Sequence, residues 1–140
     1  MSLKNIIPML ATGDMEETVA FYRDVLGFEV RDKFESGGRC WWCEMVRDGQ
    51  ALMFTQHEVD VDAPGARGGF GQTSINLYID ESVEEFHARL KEQGVAVSEL
   101  RVAFYGVKEF DLCDPTGYTL VIGQPTDEPP TVVDRGDFPF

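Results

Sequence analysis

The residues whose types could do chemistry fall into three groups. Cys40 and Cys43 form a C-x-x-C with two tryptophans between them, the spacing of a redox dithiol or of half a zinc site. His57 and His87 are the two histidines, the side chains suited to general-base or metal-ligand roles near neutral pH. Trp42 with Glu44, and Tyr105 with Glu109 and Asp111, lie at even spacings, so each set shares one face if its segment is a strand. Aromatic faces beside carboxylates suit a flat or cationic organic molecule.

The elements that must position these residues follow a pattern that occurs twice. A strand over Asn5 to Ala11 leads into Asp14-Met15-Glu16-Glu17, an acidic N-cap with glutamate three residues on. Met15, Val19, Tyr22 and Leu26 recur at helical spacing and Gly27 ends the run. Strands follow at Phe28 to Lys33, Arg39 to Val46 and Ala51 to Gln56, the last two around an Asp48-Gly49 turn. The second copy has a strand over Thr73 to Ile79 and a helix capped by Ser82, with Val83, Phe86 and Leu90 as its stripe and Gly94 as its stop. Val95 to Arg101, Tyr105 to Cys113 and Tyr118 to Gly123 complete it. The chain therefore reads as α+β, two tandem βαβββ modules over residues 1–56 and 73–123. A Gly-, Asp- and Pro-containing linker (57–72) joins them, and a Pro-rich acidic tail (124–140) follows.

This framework weighs the motifs. In a strand, residues three apart point to opposite faces, which argues against a redox pair or shared metal at Cys40 and Cys43. His87, beside Phe86 and Leu90, reads as a packing residue. His57 follows a strand and is the candidate catalytic base; a loop histidine without further role is the simpler reading. There is no Ser-His-Asp order, phosphate-binding glycine loop or HExxH motif.

Composition sets outer limits. Twelve basic against 25 acidic residues give a formal charge of −13, a field that repels phosphate backbones and argues against nucleic acid as a partner. No apolar run reaches the roughly 20 residues of a membrane span, and the N-terminal stretch lacks a signal-peptide pattern. With three cysteines, the expectation is a cytoplasmic protein without a disulfide framework and without a membrane partner.

The segments DMEETVAFYRDVLGF (Asp14–Phe28), YGVKEF (Tyr105–Phe110) and DPTGY (Asp114–Tyr118) resemble the vicinal oxygen chelate superfamily of glyoxalases, bleomycin-resistance proteins and extradiol dioxygenases. The resemblance implies a curved mixed sheet with helices outside and a ligand cleft inside, and a homodimer. Catalytic members of that superfamily hold a metal with one residue from each of four strands, usually His, Glu or Gln. Those positions fall on Ile7, Met53, Ser74 and Val121, none of which is such a ligand, so no metal and no cofactor are expected.

Hairpin register then fills the implied cleft. A two-residue turn at Asp48-Gly49 pairs Glu44 with Met53 and Trp42 with Thr55, and a three-residue turn after Asp114 pairs Asp111 with Val121. The expected ligand-binding set is Trp42, Glu44, Met53, Ser74, Asn76, Tyr78, Tyr105, Glu109 and Asp111. Alternatively, some of these carboxylates turn outward or pair with Arg101, Lys108 or Arg39. The expected function is metal-independent binding or sequestration of an aromatic or cationic small molecule, as in the bleomycin-resistance, antibiotic-resistance branch. The competing reading is a glyoxalase-like lyase, isomerase or dioxygenase with a non-standard metal set or His57 as base.

Overall fold

A computed structural model describes residues 1–57 and 74–131; the expected linker, after His57, and the end of the expected tail lie outside the described residues. The chain divides into two units between residues 63 and 64.

The first unit runs β1 (Met9–Thr12), α1 (Met15–Asp24), β2 (Glu29–Ser36), β3 (Arg39–Arg47) and β4 (Gln50–Gln56), with sheet order β1-β4-β3-β2. Asp14 caps α1 by accepting the Glu17 N–H at 3.0 Å, satisfying one of the donors a helix start leaves open. Gly27 stops the chain's helical course at φ +72°, where a Cβ would lie 3.0 Å from Arg47 Nη1. Met15, Tyr22 and Leu26 are buried as the stripe requires, joined by Phe28, Met45 and Phe54. Each such side chain contributes roughly 1.5–3 kcal/mol by leaving water. Asp48 and Gly49 both have positive φ, as a two-residue hairpin turn with the right twist demands. The turn fixes the register expected from the sequence, with Glu44 opposite Met53 and Trp42 opposite Thr55.

The β2–β3 pairing departs from simple alternation twice. Val30 pairs with Met45 and Asp32 with Glu44, leaving Arg31 as an extra residue on β2; Phe34 pairs with Trp42 and Glu35 with Cys40, leaving Trp41 extra on β3. The second bulge corrects the expectation for the cysteines. An extra residue shifts the alternation by one, so Cys40 and Cys43 lie on the same face, and both line one groove.

The second unit runs β5 (Ser74–Tyr78), α2 (Val83–Glu92), β6 (Arg101–Val102), β7 (Val107–Cys113) and β8 (Thr119–Pro125), with order β5-β8-β7-β6. Val83, Phe86 and Leu90 of α2 are buried, as are Phe110, Leu112, Leu120 and Ile122 of the sheet. Asp114 Oδ1 accepts the N–H groups of Thr116, Gly117 and Tyr118, which ties the turn that sets Asp111 opposite Val121. The strand expected over Val95 to Arg101 is confined to Arg101–Val102. Ser98 takes the place of regular pairing: its N–H donates to the Asp111 carbonyl and its Oγ accepts the Asp111 N–H, a side chain competing with the ladder. Beyond β8, Thr126 N–H donates to the Gly106 carbonyl and Thr131 N–H to the Val102 carbonyl. The first residues of the expected tail therefore pair within this unit.

Candidate functional site

In each unit the helix covers one sheet face, and the candidate residues lie on the other. On the first unit's open face, β3 presents Trp42 and Glu44 and β4 presents Met53 and Thr55, in cross-strand pairs. Glu44 is buried, and Arg31 meets it with two nearly parallel bonds, Nε to Oε1 at 2.8 Å and Nη2 to Oε2 at 2.7 Å. The β2 bulge makes this possible, because it places Arg31 beside Asp32 opposite Glu44. Phe34, more than half exposed, stands opposite Trp42. Sequence reasoning missed Arg31 and Phe34. Carrying the hairpin register back from Ser36 and Arg39 sets Phe34 opposite Trp41, so only the bulges themselves place Phe34 opposite Trp42 and Arg31 beside Glu44.

The Arg31 guanidinium holds the Glu44 carboxyl below its ordinary value of 4.5. A folded-state pKa that is lowered contributes stability above the unfolded value, and that contribution is lost as pH falls through the folded one. Wild-type protein is therefore expected to lose stability relative to Glu44→Gln as pH drops below 4.5. Denaturant titrations from neutral pH to about pH 3 check this; parallel stability curves for the two proteins would reject it.

On the second unit's open face, one row crosses all four strands: Tyr78, Gly123, Glu109 and Arg101. The next row holds Asn76, Val121 and Asp111, and Ser74 pairs with Thr119 at the start of β5. Glu109 is fully buried at 0% exposure. Arg101 Nη2 donates to Glu109 Oε2 at 3.0 Å and to Asp111 Oδ1 at 2.7 Å, and the Tyr105 hydroxyl donates to Glu109 Oε1. Burial, then the bond to Glu109, pushes the Tyr105 hydroxyl well above its ordinary 10, so it stays a proton donor. Two carboxylates thus share one guanidinium, leaving this cluster with a net negative charge. Tyr78 and Tyr105 remain 61% and 45% exposed, and their rings are accessible to a ligand.

The structure therefore brings Tyr105, Glu109 and Asp111 together through Arg101, one of the partners the sequence offered. His57 is exposed immediately after β4, its N–H donating to the Thr12 carbonyl. His87 is buried, with Nε2 2.8 Å from the Ser98 carbonyl and its ring edge-on to Phe110, a packing role as expected. A redox dithiol needs a lowered thiol pKa; burial instead pushes Cys43 up to about 11.

Over residues 6–122 the sequence matches the profile of the Glyoxalase/Bleomycin resistance protein/Dioxygenase superfamily. The chain belongs to this superfamily. Among solved structures it is similar to an antibiotic-binding protein from Streptomyces sp. CB03234, with 22% identity, TM-score 0.69, and coverage of 90% of this chain and 99% of that one. It is similar to a bleomycin resistance determinant encoded on the transposon Tn5, with 24% identity, TM-score 0.66, and coverage of 90% and 100%. It is equally similar to a lactoylglutathione lyase from Agrobacterium tumefaciens, with 24% identity, TM-score 0.66, and coverage of 89% and 96%. At these identities the likeness speaks to the fold, which both binding proteins and enzymes use. No curated protein matches by sequence.

The four residues expected from the sequence at the superfamily's metal positions do not fit a divalent ion. Met53 pairs with Glu44 and Met9, and Val121 with Asp111 and Asn76; Ile7 precedes β1 and Ser74 opens β5. Two aliphatic chains, a thioether and a neutral hydroxyl lack the imidazole or carboxylate donors such an ion takes. The neighbouring carboxylates do not replace them, because Arg31 occupies Glu44 and Arg101 occupies Glu109 and Asp111. Among the described residues, no three His, Cys, Asp or Glu side chains converge, and no helix is long and apolar enough to cross a membrane.

Proposed function

We propose that this superfamily member binds and sequesters an aromatic cation without using a metal. The observation that carries the reading is the cluster on the second unit's open face. One guanidinium serves two carboxylates there, and the unmatched negative charge lies beside the exposed rings of Tyr78 and Tyr105. A flat cation stacks on tyrosine faces and orients its charge toward Asp111, the more exposed of the two acids, since aromatic faces and carboxylates attract the same ligand. Trp42, Phe34 and Met53 give the first unit's open face a mainly apolar, aromatic character, with Glu44 neutralised by Arg31. The fold is shared with an antibiotic-binding protein and a bleomycin resistance determinant as well as with a lactoylglutathione lyase, so the choice of binding over turnover rests on the site residues. The same reading takes the protein as a cytoplasmic homodimer.

Isothermal titration with bleomycin and with a planar quaternary-ammonium dye tests the proposal, a neutral aromatic of similar size serving as control. Asp111→Asn is expected to weaken the cations about tenfold, the loss of one solvent-screened charge contact, and to leave the neutral control unchanged. Equal affinity of Asp111→Asn and wild type for a bound cation would remove Asp111 from the site.

A further inference from the structure

Cys40 and Cys43 belong to neither open face. Because Trp41 is the bulged residue, both cysteines rise from the helix-side face of β3, beside their cross-strand partners Glu35 and Lys33. That face and α1 line a groove of about 730 Å³. Met15, in the first turn of α1, also lines it, and its Sδ lies 3.6 Å from Cys43 Sγ. Cys43 is 1% exposed and Cys40 half-buried, and neither is in a disulfide. Cys40 Sγ has one weak bond to surrender, donated to the Trp42 carbonyl at 3.3 Å. Three sulfur atoms from two elements thus line a single groove of the first unit.

We propose that this groove is a binding site for a soft monovalent cation of the copper(I) type, held by Cys40 Sγ, Cys43 Sγ and Met15 Sδ. Thiolate and thioether sulfur are polarisable donors that favour Cu(I), whereas calcium, magnesium and manganese take oxygen. Two thiolates and a thioether around Cu(I) leave one net negative charge; Lys33, directly across from Cys43, is already paired with Glu35 at 2.8 Å, and Arg39 is a further cation lining the groove. The two thiol protons pass to solvent as the metal binds, and no electron is transferred. Helix α1 fixes the thioether: Met15 is buried at the helix start, and its N–H donates to Gln56 Oε1 on β4 at 3.0 Å. The sulfur set is therefore anchored on both sides of the groove, as a site built on rigid elements should be.

The test is an anaerobic titration of the reduced full chain with Cu(I) held by the chromophoric chelator bicinchoninate. The chain carries Cys113→Ser to remove the exposed thiol of β7. One equivalent of Cu(I) is expected to leave the chelator. Cys40→Ser, at the half-buried position, is expected to lower affinity about 100-fold and Met15→Leu about tenfold, with circular dichroism unchanged in both. Cys43→Ser is less informative because that position is fully packed, so Cys40→Ser is the deciding variant. Failure to draw Cu(I) from the chelator overturns the proposal. So does full affinity in Cys40→Ser, capture that requires Cys113, or tighter binding of Zn(II) than of Cu(I) in the same competition.

Discussion

Arg101→Met is expected to destabilise the protein by about 3–5 kcal/mol, because it strands a buried carboxylate without its partner. Glu109 is fully buried, and Arg101 is the guanidinium that meets both it and Asp111. Desolvating a charge is tolerable only while the counter-charge and hydrogen bonds are in place. The Tyr105 hydroxyl supplies one bond to Glu109 but no charge. The double variant Arg101→Met/Glu109→Gln removes both ends of the pair and is expected to recover most of the loss, since replacing a whole buried pair is far milder than breaking it. Urea denaturation of wild type, single and double variants measures the effect. A single variant within about 1 kcal/mol of wild type would show that Glu109 is not held as a buried charge.

Gly123→Ala is expected to cost about 3 kcal/mol, the upper end for overpacking a tight site. A Cβ at Gly123 would lie 2.7 Å from Val107 Cγ1 and 3.6 Å from Glu109 Cβ. Val107 is β-branched and buried, with little freedom to rotate away. The missing side chain is what lets Glu109 lie against the sheet between Gly123 and Arg101 in the row from Tyr78. Gly123→Ala is therefore expected to disturb the carboxylate cluster as well as stability. Val107→Ala added to it should restore part of both by clearing the nearer contact. Thermal unfolding of the three variants decides: a Gly123→Ala protein as stable as wild type would mean that the strands separate freely at this point.

Much of this architecture was legible in the sequence because the signals are local. Asp14 and Ser82 announce their helices, since a side-chain oxygen three residues ahead of a backbone N–H is a short-range fact. Asp48-Gly49 and Asp114 to Tyr118 are turns of defined length, and a turn's length fixes every pair behind it. This is why Glu44 falls opposite Met53 and Asp111 opposite Val121, as turn length alone requires. The same alternation puts Glu109 and Asp111 on one face, whereas Tyr105 lies in the turn before β7 and reaches Glu109 from there.

What failed depended on a partner strand. An unbroken strand would set Cys40 and Cys43 on opposite faces, yet one extra residue at Trp41 puts them on the same face. The Val95 to Arg101 segment has strand-like residues, but Ser98 bonds Asp111 with its side chain and limits the ladder to two residues.

The sequence by itself determined the two βαβββ modules and the faces of their regular strands. Only the tertiary structure decided which cation meets which carboxylate: Arg31 reaches Glu44 through a bulge, and Arg101 divides itself between Glu109 and Asp111. The reason is the range of the forces involved. Caps, turns and alternation are set by covalent neighbours, whereas bulges and buried charge pairs are settled by what an adjacent strand brings within about 3 Å.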